Sequence, residues 1–494
     1  MANLYTVRRA RRALWGSCIL LTALGFASGA PAQQTSAAPA TPAAQAPTED
    51  WSIPSDDDLR AFLNRRMAHN GVGVVIGVIE PAGRRVVAYG RSGTPDERPL
   101  DGDTIFLVGS VSKSFVGLVL ADMIRRGEVK LDDPASTFLP RGVRMPRRGR
   151  PIALADLSTH TSGLPAWPTN INLLAEPDPM EAYTVQDLYR FLSTYTPPRE
   201  PGGVPQYSNL GVSLLGRLLG LRAGKEYEAL LSERVLQPLG MRSTAIRLSP
   251  EQLKRLAFGH DKDLQPVYTA ETKTLYPSGA LRSSANDLLT YLAANLGYVD
   301  TPLAEAMRYQ RSAVRVRRGA DPSEFALGWI VRRVRGHEIF YHDGGKQGYR
   351  SIVAFDPERR IGVVVLANAR SDESLPAWSR YLLTGEPLPP PPPPYPVRQF
   401  VSVDPFVLDG YAGRYRLAKD GTMIDVVRRR DYLLVDDGSG SPTEVFSETL
   451  QDFSARVERL QVSFRTDANG NVTGLTWYPR GKAGGQSEEA TRVR

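Results

Sequence analysis

Six consecutive prolines, Pro389–Pro394, divide this chain. Proline lacks a backbone N–H and has a fixed φ, so such a run cannot sit inside a helix or a central strand. It reads as a stiff, extended linker over residues 386–399. The 494 residues are also too many for one ordinary domain. A second break lies near the start. "VRRARR" is a basic segment, "ALWGSCILLTALGFA" an apolar run of about 15 residues, and "APAQ" a small-residue cleavage site. Residues 1–32 therefore read as an export signal, and residues 33–52, rich in Ala, Pro and Thr, as a disordered spacer. The apolar run is short for a membrane span. The expected mature protein is periplasmic or secreted and has no stable span in the membrane.

Removing the signal changes the charge and the redox chemistry. Arg8, Arg9, Arg11 and Arg12 supply four of the eight formal positive charges, and the mild basicity that remains does not argue for nucleic acid. The single cysteine, Cys18, lies in the apolar run, so the mature chain offers no disulfide, thiol or cysteine metal site. His69, His260 and His337 have no partners at metal-ligand spacing and read as structural. No metal or organic cofactor is indicated.

Residues 53–385 carry strand patterns at both ends of a helical middle. "GVGVVIGVIE" and "RRVVAYG" flank a turn, and "EIFYH", "YRSIVAFD" and "IGVVVLAN" close the segment. Between them, "LLGRLLG", "YEALLSERVL" and "ANDLLTYLAANL" space apolar residues three and four apart. The expected fold class is α/β: a mainly antiparallel sheet that joins the first and last segments, flanked by helices, with an all-helical subregion. Residues 400–480 alternate strand-like pieces with turns and read as a small all-β module; residues 481–494 read as a loose polar tail. Within the module, "DANGNVTGL" starts like a calcium loop but lacks the glycine and glutamate positions, so a hairpin turning at Asn469-Gly470 is the better reading.

Three stretches carry residues able to do chemistry. In "GSVSKSF", Ser110 and Lys113 share a helix face one turn apart. A serine needs a base within hydrogen-bond reach to act as a nucleophile, and a lysine whose pKa is held down can be that base. A capping serine beside a solvated lysine is the bland alternative. "QYSNLGVSLLG" places Tyr207 and Asn209 at a loop-to-helix junction, as proton shuttle and carbonyl holder or simply as packing and cap. "FYHDGGKQGYRS" sets His342, Gly344 and Gly345 at the end of a strand, where glycines admit a substrate backbone or merely turn a hairpin.

The order and spacing of these stretches resemble the serine β-lactamase and penicillin-binding-protein superfamily, whose S-x-x-K set is a known motif. Y-x-N as second motif is similar to class C β-lactamases, and "YSNLGVSLLG" resembles their D-alanyl-D-alanine carboxypeptidase/endopeptidase relatives. "FLVGSVSKSFVGLVLADMIRRGEVKLDDPASTFLP", "ADLSTHTSGLP" and "YPSGALRSSANDLLTYL" extend the resemblance over about residues 55–385. It implies that Ser110 is acylated, that Lys113 and Tyr207 share base and acid work, and that Asn209 orients the substrate. It also implies an oxyanion hole from the backbone N–H groups of Ser110 and Gly345. His342 stands where many members have the lysine of K-T-G, a departure, because a histidine is mostly neutral at pH 7; it would bind a substrate carboxylate as an imidazolium only if its surroundings raise its pKa. His160 in "STHTSGLP" either shapes a loop or lines the cleft. The opening "LDGYAGRYRL" resembles lipocalin-like modules appended to such hydrolases.

The implied activity is an exported serine hydrolase acting through an acyl-enzyme on peptidoglycan D-alanyl peptides, with possible weak β-lactamase activity. An esterase or D-amino-acid amidase on the same site, and a penicillin-binding sensor without turnover, are the alternatives.

Overall fold

The computed structural model describes residues 51–67, 73–172, 175, 178–261, 264–267, 269, 271–369, 373–391, 398–438, 442–456, 460–479, 481–482 and 485–493. The signal read at residues 1–32, most of the spacer, His69 and the end of the proline run lie outside them. Among the described residues no helix is long and apolar enough to cross a membrane.

Among the described residues, the segment 53–385 contains ten strands: β1 (Gly73–Glu80), β2 (Gly83–Gly90), β3 (Ile105–Leu107), β4 (Arg282–Ser284), β5 (Val316–Arg318), β6 (Asp321–Phe325), β7 (Ile330–Val334), β8 (His337–Lys346), β9 (Tyr349–Asp356) and β10 (Ile361–Ala367). Eight of them form one antiparallel sheet in the order β2-β1-β10-β9-β8-β7-β6-β5. The first and last parts of the segment meet directly, with Val75 opposite Leu366 and Ile79 opposite Gly362. Both faces are covered, which is why "VVIGVI" and "IGVVVLA" are apolar almost without alternation. One face packs Val74, Ile76, Val363 and Val365 against Leu59 and Phe62 of the helix Asp56–Met67 and Trp378 and Leu382 of the helix Leu375–Thr384. The other packs Val75, Val364 and Leu366 against the central helices, through residues such as Phe115, Leu118, Leu289 and Leu292. The α/β class with an antiparallel sheet between helices is therefore the observed architecture.

A separate two-stranded piece pairs β3 with β4, Phe106 opposite Ser283. It carries the chain into the short turn Gly109–Val111 and the helix Ser112–Arg125. Arg150 is held by a two-pronged pair to Asp156 at 2.6 and 2.7 Å.

The C-terminal module is a closed barrel of eight strands in sequence order: β11 (Gly413–Leu417), β12 (Met423–Arg429), β13 (Tyr432–Asp436), β14 (Thr443–Ser447), β15 (Asp452–Ala455), β16 (Gln461–Thr466), β17 (Val472–Tyr478) and β18 (Glu488–Val493). This up-and-down order is lipocalin-like. Tyr415, Phe453, Phe464, Val462 and Leu475 fill the interior, as an eight-stranded barrel permits. The β16–β17 hairpin turns at Gly470, φ 82°, where Asp467 accepts the backbone N–H groups of Asn469 and Asn471. Two readings are corrected. The run of strand-like pieces read over residues 400–480 opens instead on a helix, Pro405–Tyr411, capped by Asp404, whose carboxylate accepts Phe406 N–H at 2.8 Å. Residues 488–493 are not loose tail but β18, which pairs with both β11 and β17 and closes the ring. Their polar composition reflects a strand with one wet face, Ala490 being the residue turned to the core.

Closure gives a direct test. Deleting residues 488–493 strips β11 and β17 of their shared neighbour and exposes two edges. Limited proteolysis is expected to cut the truncated protein rapidly after residue 400. Unchanged resistance would mean that the segment contributes nothing to the barrel.

Candidate active site

Ser110 is positioned by β3 and the residues that follow it. Val108 donates its N–H to Leu281 O at 2.9 Å, and its carbonyl accepts from Ser351 Oγ at 2.7 Å. Gly109 then takes φ 51°, a conformation that favours glycine, and Ser112 Oγ donates back to its carbonyl at 2.6 Å. The approach to β8 is equally tight. A Cβ on Gly109 would lie 3.0 Å from Gly345 N. One on Gly344 would strike the Val108 carbonyl and lie 3.0 Å from Ser110 N. The backbone nitrogens of Ser110 and Gly345 are thus brought to the same place by two glycines with no room for side chains.

Lys113, in the first turn of the helix, is fully buried. Its Nζ donates to Ser110 Oγ at 2.9 Å, Asn209 Oδ1 at 2.8 Å and Ser278 O at 2.8 Å. Burial pushes its pKa down from 10.5 to about 7, with the Asp343 carboxylate opposing. Two of its three partners can only accept. A neutral amine that donates to both turns its lone pair toward the Ser110 hydroxyl.

Tyr207 precedes the helix Asn209–Ala223, whose N-cap is Ser208; Ser208 Oγ accepts Gly211 N–H at 2.8 Å. The cap is present, and the same stretch brings Asn209 Oδ1 to Lys113 Nζ at 2.8 Å. The Tyr207 side chain lies beside Ser110, and Lys113 Nζ lies 4.9 Å from the ring centre. Burial drives the phenol pKa up, which keeps it protonated at neutral pH. His160 is buried behind it. Its ring lies 4.5 Å from that of Tyr207, and its Nδ1 accepts Ser208 N–H at 3.1 Å, so it shapes the loop and supports the tyrosine. Burial, helped by Lys113, depresses its pKa.

His342 does not fit the expectation placed on it. It is buried, its Nδ1 lies 2.7 Å from Asp343 O, and its ring is 6.4 Å from that of Tyr207. Burial first, and the neighbouring Lys113 second, push its pKa below the ordinary value. A neutral imidazole packed in the interior cannot serve as a standing cation for a carboxylate. His260, whose Nδ1 lies 3.0 Å from Asn368 O, and His337, 3.3 Å from Asp356, have local partners.

A cavity of about 360 Å³ opens on Ser110, Asn209 and Gly345. With this geometry in place, the comparisons are decisive on kinship. Residues 59–385 match the family model described as beta-lactamase. The chain belongs to the β-lactamase family. Residues 398–492 match a domain of unknown function. This β-lactamase-family chain is 28% identical over 320 residues to "D-alanyl-D-alanine-carboxypeptidase/endopeptidase AmpH" of Escherichia coli K12, covering 60% of this chain and 78% of that one. It is 24% identical over 436 residues to "Penicillin-binding protein 4*" of Bacillus subtilis, covering 82% and 92%. The crystal structure of a class C β-lactamase from Rhodobacter sphaeroides superposes with a TM-score of 0.55 at 26% identity, covering 64% of this chain and 94% of that one. The chain is thus similar to serine hydrolases of the β-lactamase and penicillin-binding type.

Sequence reasoning passed over Lys346, which lines the same cavity. Its Nζ donates to Thr272 Oγ1 at 2.8 Å, and burial, with Arg282 nearby, lowers its pKa to about 8. A lysine just past the glycine pair at the end of β8 was the available signal. Arg429, Glu444 and Arg456 also line the cavity, from the barrel, and nothing local in the sequence links them to Ser110.

Two outcomes follow from this geometry. Gly344→Ala must shift β8 or the Ser110 turn by a fraction of an ångström or more. Labelling of Ser110 by an active-site acylating probe should slow by about 10²-fold, the usual cost of such misplacement. For pH, the base must be unprotonated, so its useful fraction falls about tenfold per unit below its pKa. With an uncharged ester, the acylation kcat/KM should drop as pH falls below about 7, the value of Lys113, and level off above it. A profile flat from pH 5 to 8 would exclude this amine as the base.

Proposed function

We propose that the protein is an exported serine hydrolase that forms an acyl-enzyme on Ser110 and cleaves D-alanyl peptides of the cell wall, as a carboxypeptidase or endopeptidase, with weak hydrolysis of β-lactams. The observation that carries this reading is the buried Lys113 amine held between Ser110 Oγ and the two fixed acceptors, Asn209 Oδ1 and Ser278 O. The name of the E. coli relative supports the substrate class, and the signal-like residues 1–32 support export.

In the proposed reaction, neutral Lys113 takes the Ser110 proton as Oγ attacks the substrate carbonyl. The N–H groups of Ser110 and Gly345 receive the developing oxyanion. The C–N bond then breaks, and the departing amine takes a proton passed from Lys113 through the Tyr207 hydroxyl. Water repeats the sequence on the ester, with Lys113 again the base. Asn209, its Oδ1 occupied by Lys113, presents its amide nitrogen to a substrate carbonyl. Tyr207 is a proton relay rather than a phenolate base, because burial keeps it protonated.

An esterase or D-amino-acid amidase is the second reading. The neutral, buried His342 favours it, because no permanent cation stands where many relatives of this type carry one. A sensor without turnover is disfavoured by the contacts of both Tyr207 and Asn209 with the Ser110–Lys113 pair.

Purified protein lacking residues 1–32 should release D-alanine from D-Ala-D-Ala peptides, as measured by product mass. Ser110→Ala should abolish both turnover and the covalent adduct. Rapid turnover of simple esters alone would favour the second reading; a stable adduct without product would favour the sensor.

A further inference from the structure

The cavity that opens on Ser110 has two walls from different parts of the chain. Ser110, Asn209, Gly345 and Lys346 come from the hydrolase; Glu444, Phe446 and Arg456 come from β14 and the end of β15. The charges across it differ in how far they are already engaged. Asp178 caps the helix Pro179–Ala182, its Oδ1 accepting Met180 N–H at 2.8 Å and Glu181 N–H at 3.2 Å. Glu444 is hydrogen-bonded to Tyr432 and lies in the field of Arg429 and Arg456; burial raises its pKa, and the Asp178 carboxylate across the boundary adds to the effect. Both acids are thus engaged where they stand. Two of the cations are less so. Lys346 has the Thr272 hydroxyl. Arg456 is laid over aromatic faces, its guanidinium carbon 4.0 Å from the Phe446 ring centre and 5.0 Å from that of Phe400. Neither makes an ion pair among the described residues. A guanidinium held against two rings that meet edge to face, 62° apart, has little rotamer freedom left to lose, and its N–H groups suit a carboxylate.

The dimensions matter as well. At about 360 Å³ the cavity is at the small end of ligand sites. That volume matches a short peptide or a small ester, and two cross-linked stem peptides with their sugars exceed it.

We infer that the C-terminal barrel is a wall of the acylation site that restricts the enzyme to short, carboxylate-bearing substrates, with Arg456 as the barrel residue that meets the carboxylate. This rests on the reading of Ser110 as the nucleophile and narrows it: free short peptides are cleaved in preference to cross-linked wall polymer.

The test compares three substrates on the full mature chain: a short D-alanyl peptide with a free C-terminal carboxylate, its C-terminal amide, and a cross-linked muropeptide dimer. The free acid should be preferred over the amide, and the dimer should be cleaved at least about 100-fold more slowly than the short peptide. In Arg456→Gln the preference for acid over amide should fall about tenfold, through KM rather than kcat, and Arg456→Lys should restore most of it. Phe446→Ala should raise the relative rate on the dimer. Covalent labelling of Ser110 by a small neutral acylating probe is run on every variant. A wild-type protein that takes no label sinks the serine-hydrolase reading itself. A labelled Arg456→Gln protein with unchanged acid-to-amide preference, or a wild type that cleaves the dimer as fast as the short peptide, overturns the role of the barrel alone.

Discussion

A lysine amine sealed from water is the constraint around which the site is organised. Burial of Lys113 brings its pKa from 10.5 to about 7, so its ammonium form is disfavoured by roughly 5 kcal/mol relative to water. That penalty is tolerated because Asn209 Oδ1, Ser278 O and Ser110 Oγ satisfy its hydrogens. A buried amine without them would be among the most destabilising features a core can hold. The three partners come from three distant parts of the chain, so the fold must bring the Ser110 turn, the Asn209 helix and the Tyr276–Ser278 turn together before the amine can be accommodated.

The rest of the hydrolase can be understood as support for that meeting. The continuous sheet joins the two ends of the domain and fixes β8. Two glycines, Gly109 and Gly344, let β8 approach the Ser110 backbone more closely than any side chain would allow. The Ser208 cap fixes where the Asn209 helix begins, and His160 braces Tyr207 from behind. The same low-dielectric interior keeps the Tyr207 phenol protonated and the neighbouring imidazoles neutral. One physical condition, exclusion of water, is thus the largest cause of the shifts at Lys113, His160, Tyr207 and His342.

That condition also explains where reading the sequence succeeded and where it fell short. Ser110 and Lys113 were legible because three residues of helix make one turn, a local rule. Tyr207, Asn209 and the Gly344-Gly345 pair were legible through their order along the chain. The role suggested for His342 was not sound, because a histidine's charge depends on its burial and on Lys113, more than 200 positions away in the chain. Lys346 was passed over because its value lies in the cavity it lines rather than in its neighbours in sequence. Residues 488–493 read as tail because a strand with one wet face carries few apolar residues; only pairing with β11 and β17 reveals it.

By itself, the sequence determined the division at the proline run, the α/β character of the first part, the all-β character of the second and the motifs that mark the family. Those are properties of local stereochemistry, of periodicity and of residue order, and they need no knowledge of what packs on what. Only the tertiary structure decided which groups share a cavity, which of them are charged there, and that β14 and β15 stand beside Ser110. Dielectric surroundings and long-range contacts are set by the folded whole, and no short stretch of the chain encodes them.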